Sequence, residues 1–225
     1  MPKEEPSPLV MTIGHSTHTL EEFIRLLQAH GATCVVDVRT VPRSRHNPQF
    51  NKDSLPHSLK PAGLGYVHTP GLGGLRHAQR DSPNMGWRNV SFRGFADYMQ
   101  TPEFAQSLEE SIRLARQDRI VLMCAEAVPW RCHRSLIADA LLVRGIRTED
   151  IMSATCRQAH TLTPFAKVQG TAITYPGQTL GQTANFRQTA PEIGVSPGFA
   201  AIVQEEPPAK RSRLRPVAKT PPHEG

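Results

Sequence analysis

The sequence predicts an α/β domain built on an open, mostly parallel sheet with helices on both faces. Three stretches carry that expectation. Residues 10–39 read as strand, helix, strand; residues 101–124 read as a helix followed by an apolar strand; and IVLMCAEAVPWRCHRSLIADALLVRG, residues 120–145, reads as that strand, a polar turn and a second helix. Strands and helices alternating in this way are joined by right-handed crossovers, which bring the strands together in parallel.

Each element has its own local reason. Residues 1–8 (MPKEEPSP) are proline-rich and polar, an expected disordered start. Residues 10–13 are an apolar run ended by Gly14. Thr19 with Glu22 three positions later is a capping-box pattern, followed by Leu20, Phe23, Ile24 and Leu27 at helical spacing and by Gly31 as the stop. TCVVDVR, residues 33–39, is nearly continuous and β-branched, as a strand covered on both faces should be.

Residues 40–93 have little periodicity and many Pro, Gly, Asn and His residues, with only GYVHT (65–69) reading as a strand. They predict a long insert of loops and short helices over one end of the sheet. GLGG, residues 71–74, is too short for a dinucleotide fingerprint and reads as a turn. Thr101, Pro102 and Glu103 supply an N-cap, a first-turn proline and a first-turn acid for a helix to about residue 117. A buried strand is expected at 119–124, a helix at 133–144 closed by Gly145, and a short last strand at 151–153. The folded unit is placed at 9–176, a single α/β domain, and 177–225 is expected to be a disordered, proline-rich basic tail.

The net charge is +6, and residues 9–176 contribute most of the excess, with arginine far outnumbering lysine there. A planar fork of donors suits phosphate and carboxylate, so an anionic small molecule or a nucleotide is the first partner class to consider. AKRSRLRPVAK, residues 209–219, could add nucleic-acid contact through phosphate charge. Four cysteines at irregular spacing do not form a disulfide framework, and no long apolar run appears; a cytoplasmic protein that does not enter membranes is expected.

Ligands of open α/β sheets bind beyond the carboxyl ends of the strands. That rule gathers one candidate rim. The first strand delivers His15 and Ser16; the second Asp37, Arg39, Arg43, Arg45 and His46; GYVHT delivers His68; and the strand ending in Cys124 delivers Glu126, Arg131, Cys132, His133 and Arg134. Cys124, between a strand and a helix start and near cations, is either a reactive thiolate or a core residue. Asp37 is either a catalytic acid or half of a structural ion pair with Arg39. His15 and Ser16 either bind an anion or shape a turn. Cys124, Cys132 and His133 are soft ligand types, but Cys-x7-Cys-His lacks the spacing of a structural zinc site, so no metal and no cofactor is expected.

TIGHST, FIRLLQAHGATCVVDVRTVPRSRHNPQFN, LGYVHTPGLGG, CAEAVPWRCHRSLIADAL and HTLTPFAKVQGTAITYP together resemble the family catalogued as domain of unknown function 488, over about residues 10–176. That resemblance implies no particular reaction. CVVDVR followed by the Cys124 loop and helix is also similar in layout to rhodanese-like domains, which implies Asp37 and Arg39 at a strand end and Cys124 as nucleophile. The loop departs from that pattern: six residues separate Cys124 from Arg131, none is glycine, and Pro129 has no amide hydrogen.

Two functions from different classes follow. In the first, a small enzyme uses Cys124 as nucleophile on an anionic, sulfur- or phosphate-containing substrate, with Arg39, Arg43, Arg45, Arg131 and Arg134 binding the anion and His133 or His15 moving protons. In a variant of it, Glu126, His133 and Asp37 carry the chemistry and Cys124 only packs. In the second, the same arginine rim and the basic tail make a non-catalytic nucleotide- or nucleic-acid-binding module.

Overall fold

A computed structural model describes residues 8–177. Its main sheet has six strands in the order β3-β2-β4-β1-β5-β6, where β1 is Leu9–Gly14, β2 Cys34–Asp37, β3 Gly65–His68, β4 Ile120–Cys124, β5 Arg147–Ser153 and β6 Cys156–Ala159. The pairs among β1 to β5 are parallel, and β6 runs antiparallel to β5. Every residue of β2 and β4 is buried. This is the environment that a nearly unbroken apolar strand requires.

Alternate side chains sort the core into two layers. Val10, Val36, Leu122 and Ile120 face α3 (Val90–Tyr98), α4 (Pro102–Ala115) and α5 (Arg134–Leu142). Met11, Val35, Val121 and Met123 face α1 (Leu20–Ala29) and α2 (Leu55–Leu59). The connections from β1 to β2 and from β2 to β3 step one way across the sheet and lie on one face. Those from β3 to β4 and from β4 to β5 step back and lie on the other, as crossovers of constant hand demand. The chain therefore leaves β4 toward one face while its neighbours β1 and β2 leave toward the other, and a crevice opens on each side of the end of β4.

The local signals act as their chemistry predicts. Thr19 and Glu22 form the reciprocal capping box of α1, and Thr101 accepts from the Phe104 amide to cap α4. The long insert contains more order than its composition announces, including α3, which the sequence did not reveal. Asp97 of α3 accepts from the Gln79 amide, Ser82 Oγ and Asn84 Nδ2, so an irregular segment is tied to a helix by one carboxylate. Gly94 interrupts the helical pattern, and its missing Cβ lets residues 76–78 pass against it.

The carboxyl side of the domain also differs from expectation. Instead of a short strand at 151–153, β5 spans seven residues and continues into β6, and a separate hairpin pairs β7 (Lys167–Gln169) with β8 (Ala172–Thr174). These strands are largely exposed and carry polar side chains, so no apolar run or alternation marks them. Buried Asp139 holds the region to α5 by accepting from Tyr175 Oη at 2.8 Å, His160 Nε2 at 2.8 Å and the Thr163 amide at 3.1 Å. Among the described residues no helix is long and apolar enough to cross a membrane. The expected disordered start and the basic tail lie outside the described residues, apart from the chain at their inner ends.

Leu108 of α4 is fully buried between Phe104 and Ile112 in the larger core layer. Leu108→Ala should lower the unfolding free energy by about 2–5 kcal/mol, whereas loss of the α4 cap in Thr101→Ala should cost about 1 kcal/mol. Denaturant midpoints at unchanged slope measure both.

Candidate active site

Two loops meet at the centre of the carboxyl edge because the backbone ladder runs on past the strands. The His15 amide donates to Cys124 O at 2.8 Å, the Ser16 amide to Ala125 O at 3.0 Å and the Val38 amide to Met123 O at 3.0 Å. Gly14 permits this approach, since a Cβ there would overlap the Glu126 carbonyl. Ser16 is the one non-glycine residue with positive φ among the described residues, at 46°. A left-handed serine at a strand end is the kind of local strain that marks functional loops.

One sulfur that the sequence did not mark as catalytic sits among polar groups. Cys132, just ahead of α5, is 4% exposed. Arg134 Nε donates to its Sγ at 3.4 Å, and His133 Nδ1 lies 3.7 Å from the same atom. His133 Nε2 faces the Val38 carbonyl at 3.3 Å, so Nε2 carries the ring hydrogen and Nδ1 presents a lone pair to the thiol. Gly74 leaves room for that ring, because a Cβ there would reach 2.5 Å from Nδ1.

Arg134 is 1% exposed, and no carboxylate is in ion-pair contact with it among the described residues. Its remaining donors reach the Glu126 carbonyl at 2.7 Å and Thr12 Oγ1 at 3.4 Å; Thr12 in turn donates to Asp150. A buried guanidinium held this way favours an anion at the sulfur. The Cys132 thiol is accordingly held well below its ordinary range, first by the hydrogen bond from the Cys124 thiol, then by His133 and the Arg134 charge, against its burial. Cys124, which donates that bond and is itself buried, is pushed up. The contact between the two thiols thus favours ionisation of Cys132 over that of Cys124.

Arg39 and Asp37 form a different kind of cluster. Asp37 is fully buried and accepts from Arg39 Nε at 2.9 Å, Arg39 Nη2 at 2.6 Å and Tyr66 Oη at 2.7 Å. Arg39 also donates to the Phe50 carbonyl and to His15 Nε2. His15 stacks on Phe50 at 4.2 Å, and its Nδ1 donates to Ser16 O at 3.0 Å. Burial and the Arg39 charge lower its pKa to about 4, so the ring is a neutral spacer rather than a cationic anion ligand. Asp37 is ion-paired with Arg39 and wholly buried.

Two cavities share Arg39, Val41, Ala125 and Glu126 in their walls. The first, about 560 Å³, reaches Cys124, Cys132, His133 and Arg131. The second, about 460 Å³, is lined by His15, Ser16, Arg43 and Asn47. Among the described residues the guanidinium groups of Arg43 and Arg131 make no hydrogen bond or ion pair, while Glu126 is exposed and accepts from the Val128 amide. Arg45 is exposed and lines neither cavity, and His68 turns to the Arg39 carbonyl.

Cys124, Cys132 and His133 present ligand-type atoms within 4.8 Å of one another. The Arg134 charge beside one of the sulfurs opposes a cation in that place. Part of the loop is withdrawn from the cradle of amides that the rhodanese-like layout would imply. The amides of Val128, Arg131 and Cys132 bond within the loop itself, and Pro129 has none to give.

Between the ordinary histidine value and about 4 the unfolded chain binds a proton at His15 that the folded domain refuses, so stability rises with pH through that window. The contribution is complete above about pH 6.5, and acidification to about pH 4 should remove about 3 kcal/mol of it. Denaturation curves at both pH values check this, with His15→Asn flattening the difference. Gly74→Ala should displace the His133 ring and slow alkylation of Cys132 by about tenfold or more, with little loss of helical signal by circular dichroism.

Residues 19–141 match the sequence profile of the family described as domain of unknown function DUF488. No curated protein and no solved structure matches the chain. The matched span covers more than half of the sequence and runs from the cap of α1 through most of α5, including Arg39, Cys124, Cys132 and Arg134. The chain belongs to the DUF488 family.

Proposed function

We propose that this protein is a small cytoplasmic thiol enzyme whose nucleophile is Cys132, acting on an anionic small molecule at a sulfur atom. The observation that carries it is the buried guanidinium of Arg134 against the Cys132 sulfur, with no carboxylate among the described residues paired to it. A structural cysteine gains nothing from a buried cation, whereas a nucleophilic one is held ionised by it.

His133 Nδ1 takes the thiol proton and can return it to the leaving group. Arg131 in the first cavity and Arg43 in the second have guanidinium groups free to hold the anionic end of the substrate. Arg39 has five donor hydrogens, four of them used, which leaves one Nη1 hydrogen for the shared wall of the two cavities. Sulfur is favoured over phosphorus because phosphoryl transfer needs donors around three oxygens, and in this loop the amides of Val128, Arg131 and Cys132 are already taken while Pro129 has none. Cys124, first in line from sequence, supplies the hydrogen bond that stabilises the thiolate.

A nucleotide- or nucleic-acid-binding module has less support. Arg39 and Arg134 are buried in internal contacts, and the basic segment 209–219 lies outside the described residues.

Alkylation by iodoacetamide across pH tests this directly, because trypsin separates the two thiols: cleavage after Arg131 leaves Cys124 in peptide 120–131 and Cys132 in peptide 132–134. Cys132 should react half-maximally well below the free-thiol value of about 8.5, with Cys124 unreactive at that pH. Arg134→Gln should move the Cys132 profile back toward the free-thiol value. Silence of Cys132 until the chain unfolds would sink the nucleophile and leave the arginines as a binding site.

A further inference from the structure

Cys124 is more than a hydrogen-bond donor in the wrong place. Its sulfur opens on the same cavity as Cys132, and the two sulfurs and a ring nitrogen of His133 lie within 4.8 Å of one another. The backbone fixes both ends of the pair. The Cys124 carbonyl is held by the His15 amide at 2.8 Å, and the Cys132 amide is held by the Pro129 carbonyl at 3.0 Å. Two thiols within 4.8 Å of one another on the wall of one cavity make a composite group that a single-nucleophile mechanism leaves half used.

We infer that Cys124 is the resolving thiol of a two-cysteine cycle that reduces a small anionic disulfide. This rests on Cys132 being the nucleophile. In the first step the Cys132 thiolate attacks one sulfur of the substrate R–S–S–R; a Cys132–S–S–R bond forms, the substrate S–S bond breaks, and RS⁻ leaves. In the second step the Cys124 sulfur attacks Cys132 Sγ; the protein disulfide forms and the second RS⁻ leaves. The Cys124 proton passes through His133 to a departing thiolate, and the proton that Cys132 gave up at the outset supplies the other. One substrate and one protein dithiol give two RSH and one protein disulfide, and a small dithiol of the solution returns the protein to its reduced form.

The electrostatics of the pair time the second step. While Cys132 is ionised, its charge and hydrogen bond hold the proton on Cys124. Once Cys132 is bound to the substrate sulfur that charge is gone, and the buried Arg134 guanidinium has lost its anion. Arg134 and the Glu126 amide both favour ionisation of Cys124, so with the Cys132 contribution removed only burial still opposes the proton loss when a nucleophile is needed. Closing the sulfurs from within 4.8 Å to a bond of about 2 Å takes side-chain rotation at positions whose backbone is already set.

The probe is dithiodipropionate, a small disulfide with a carboxylate at each end, mixed with the reduced full chain and followed by intact mass and tryptic peptides. The expected product is a linkage between peptides 120–131 and 132–134, with two thiols released per chain at this site and no lasting adduct. Cys124→Ser should instead release one thiol and hold the propionate adduct on peptide 132–134, and the neutral hydroxyethyl disulfide should react at least about threefold more slowly than the anionic probe with the intact pair. A lasting Cys132 adduct in the unsubstituted chain would overturn the resolving role of Cys124 while leaving Cys132 as nucleophile. Absence of any reaction at Cys132 would remove both, and the alkylation profile above separates that failure from the first. Equal rates for the two probes would overturn the anionic substrate class.

Discussion

A positive charge with almost no access to water has to be answered from within, and Arg134 sets that constraint here. It begins α5, its side chain turns back under the carboxyl edge of the sheet, and it is among the largest fully buried side chains of the described chain. Three groups converge on it from three parts of the sequence: the Glu126 carbonyl from the loop after β4, Thr12 from the middle of β1, and the Cys132 sulfur from the turn before α5. Dipoles from a carbonyl and a hydroxyl spread the charge but do not cancel it. The sulfur is the group in contact that can, and its ionisation is coupled to the burial of the arginine.

Comparison with Arg39 separates architecture from chemistry at the same edge. Arg39 is nearly as buried, but it meets a fully buried carboxylate through two hydrogen bonds and so arrives at the site already neutralised. Its remaining contacts to Phe50 and His15 splice the insert and the β1 loop onto β2. One arginine organises the loops around the crevice, and the other charges the atom at its base. A pair of arginines that look alike in sequence differ because Asp37 lies two residues from one of them, while the residues just ahead of the other are Cys132 and His133.

The sequence showed the parts of the fold that are driven by continuous apolar pattern. β2, β4 and α1 were legible because buried strands and a capped amphipathic helix leave unambiguous residue runs. α3 was hidden because VSFRGFADY carries a glycine in mid-helix and follows a polar, glycine-containing stretch. β6 and the β7–β8 hairpin were hidden because most of their side chains, buried Ile173 apart, face solvent, and exposed edge strands need no hydrophobic face. At the site, the convergence of strand ends followed from topology, so the rim could be assembled in advance. Which of its two cysteines faces the cations could not, because that depends on how the turn at 129–133 folds back. The run Cys132-His133-Arg134 was the available signal: a thiol, a base and a cation placed together immediately ahead of a helix.

The depth of the sulfurs has a consequence of its own. Cys132 is 4% exposed and Cys124 8%, at the end of a cavity bounded by Leu75, Phe92 and Val41. With so little of either sulfur accessible, a bulky partner has to present its reacting atom on a protruding group, whereas a small molecule meets no such requirement.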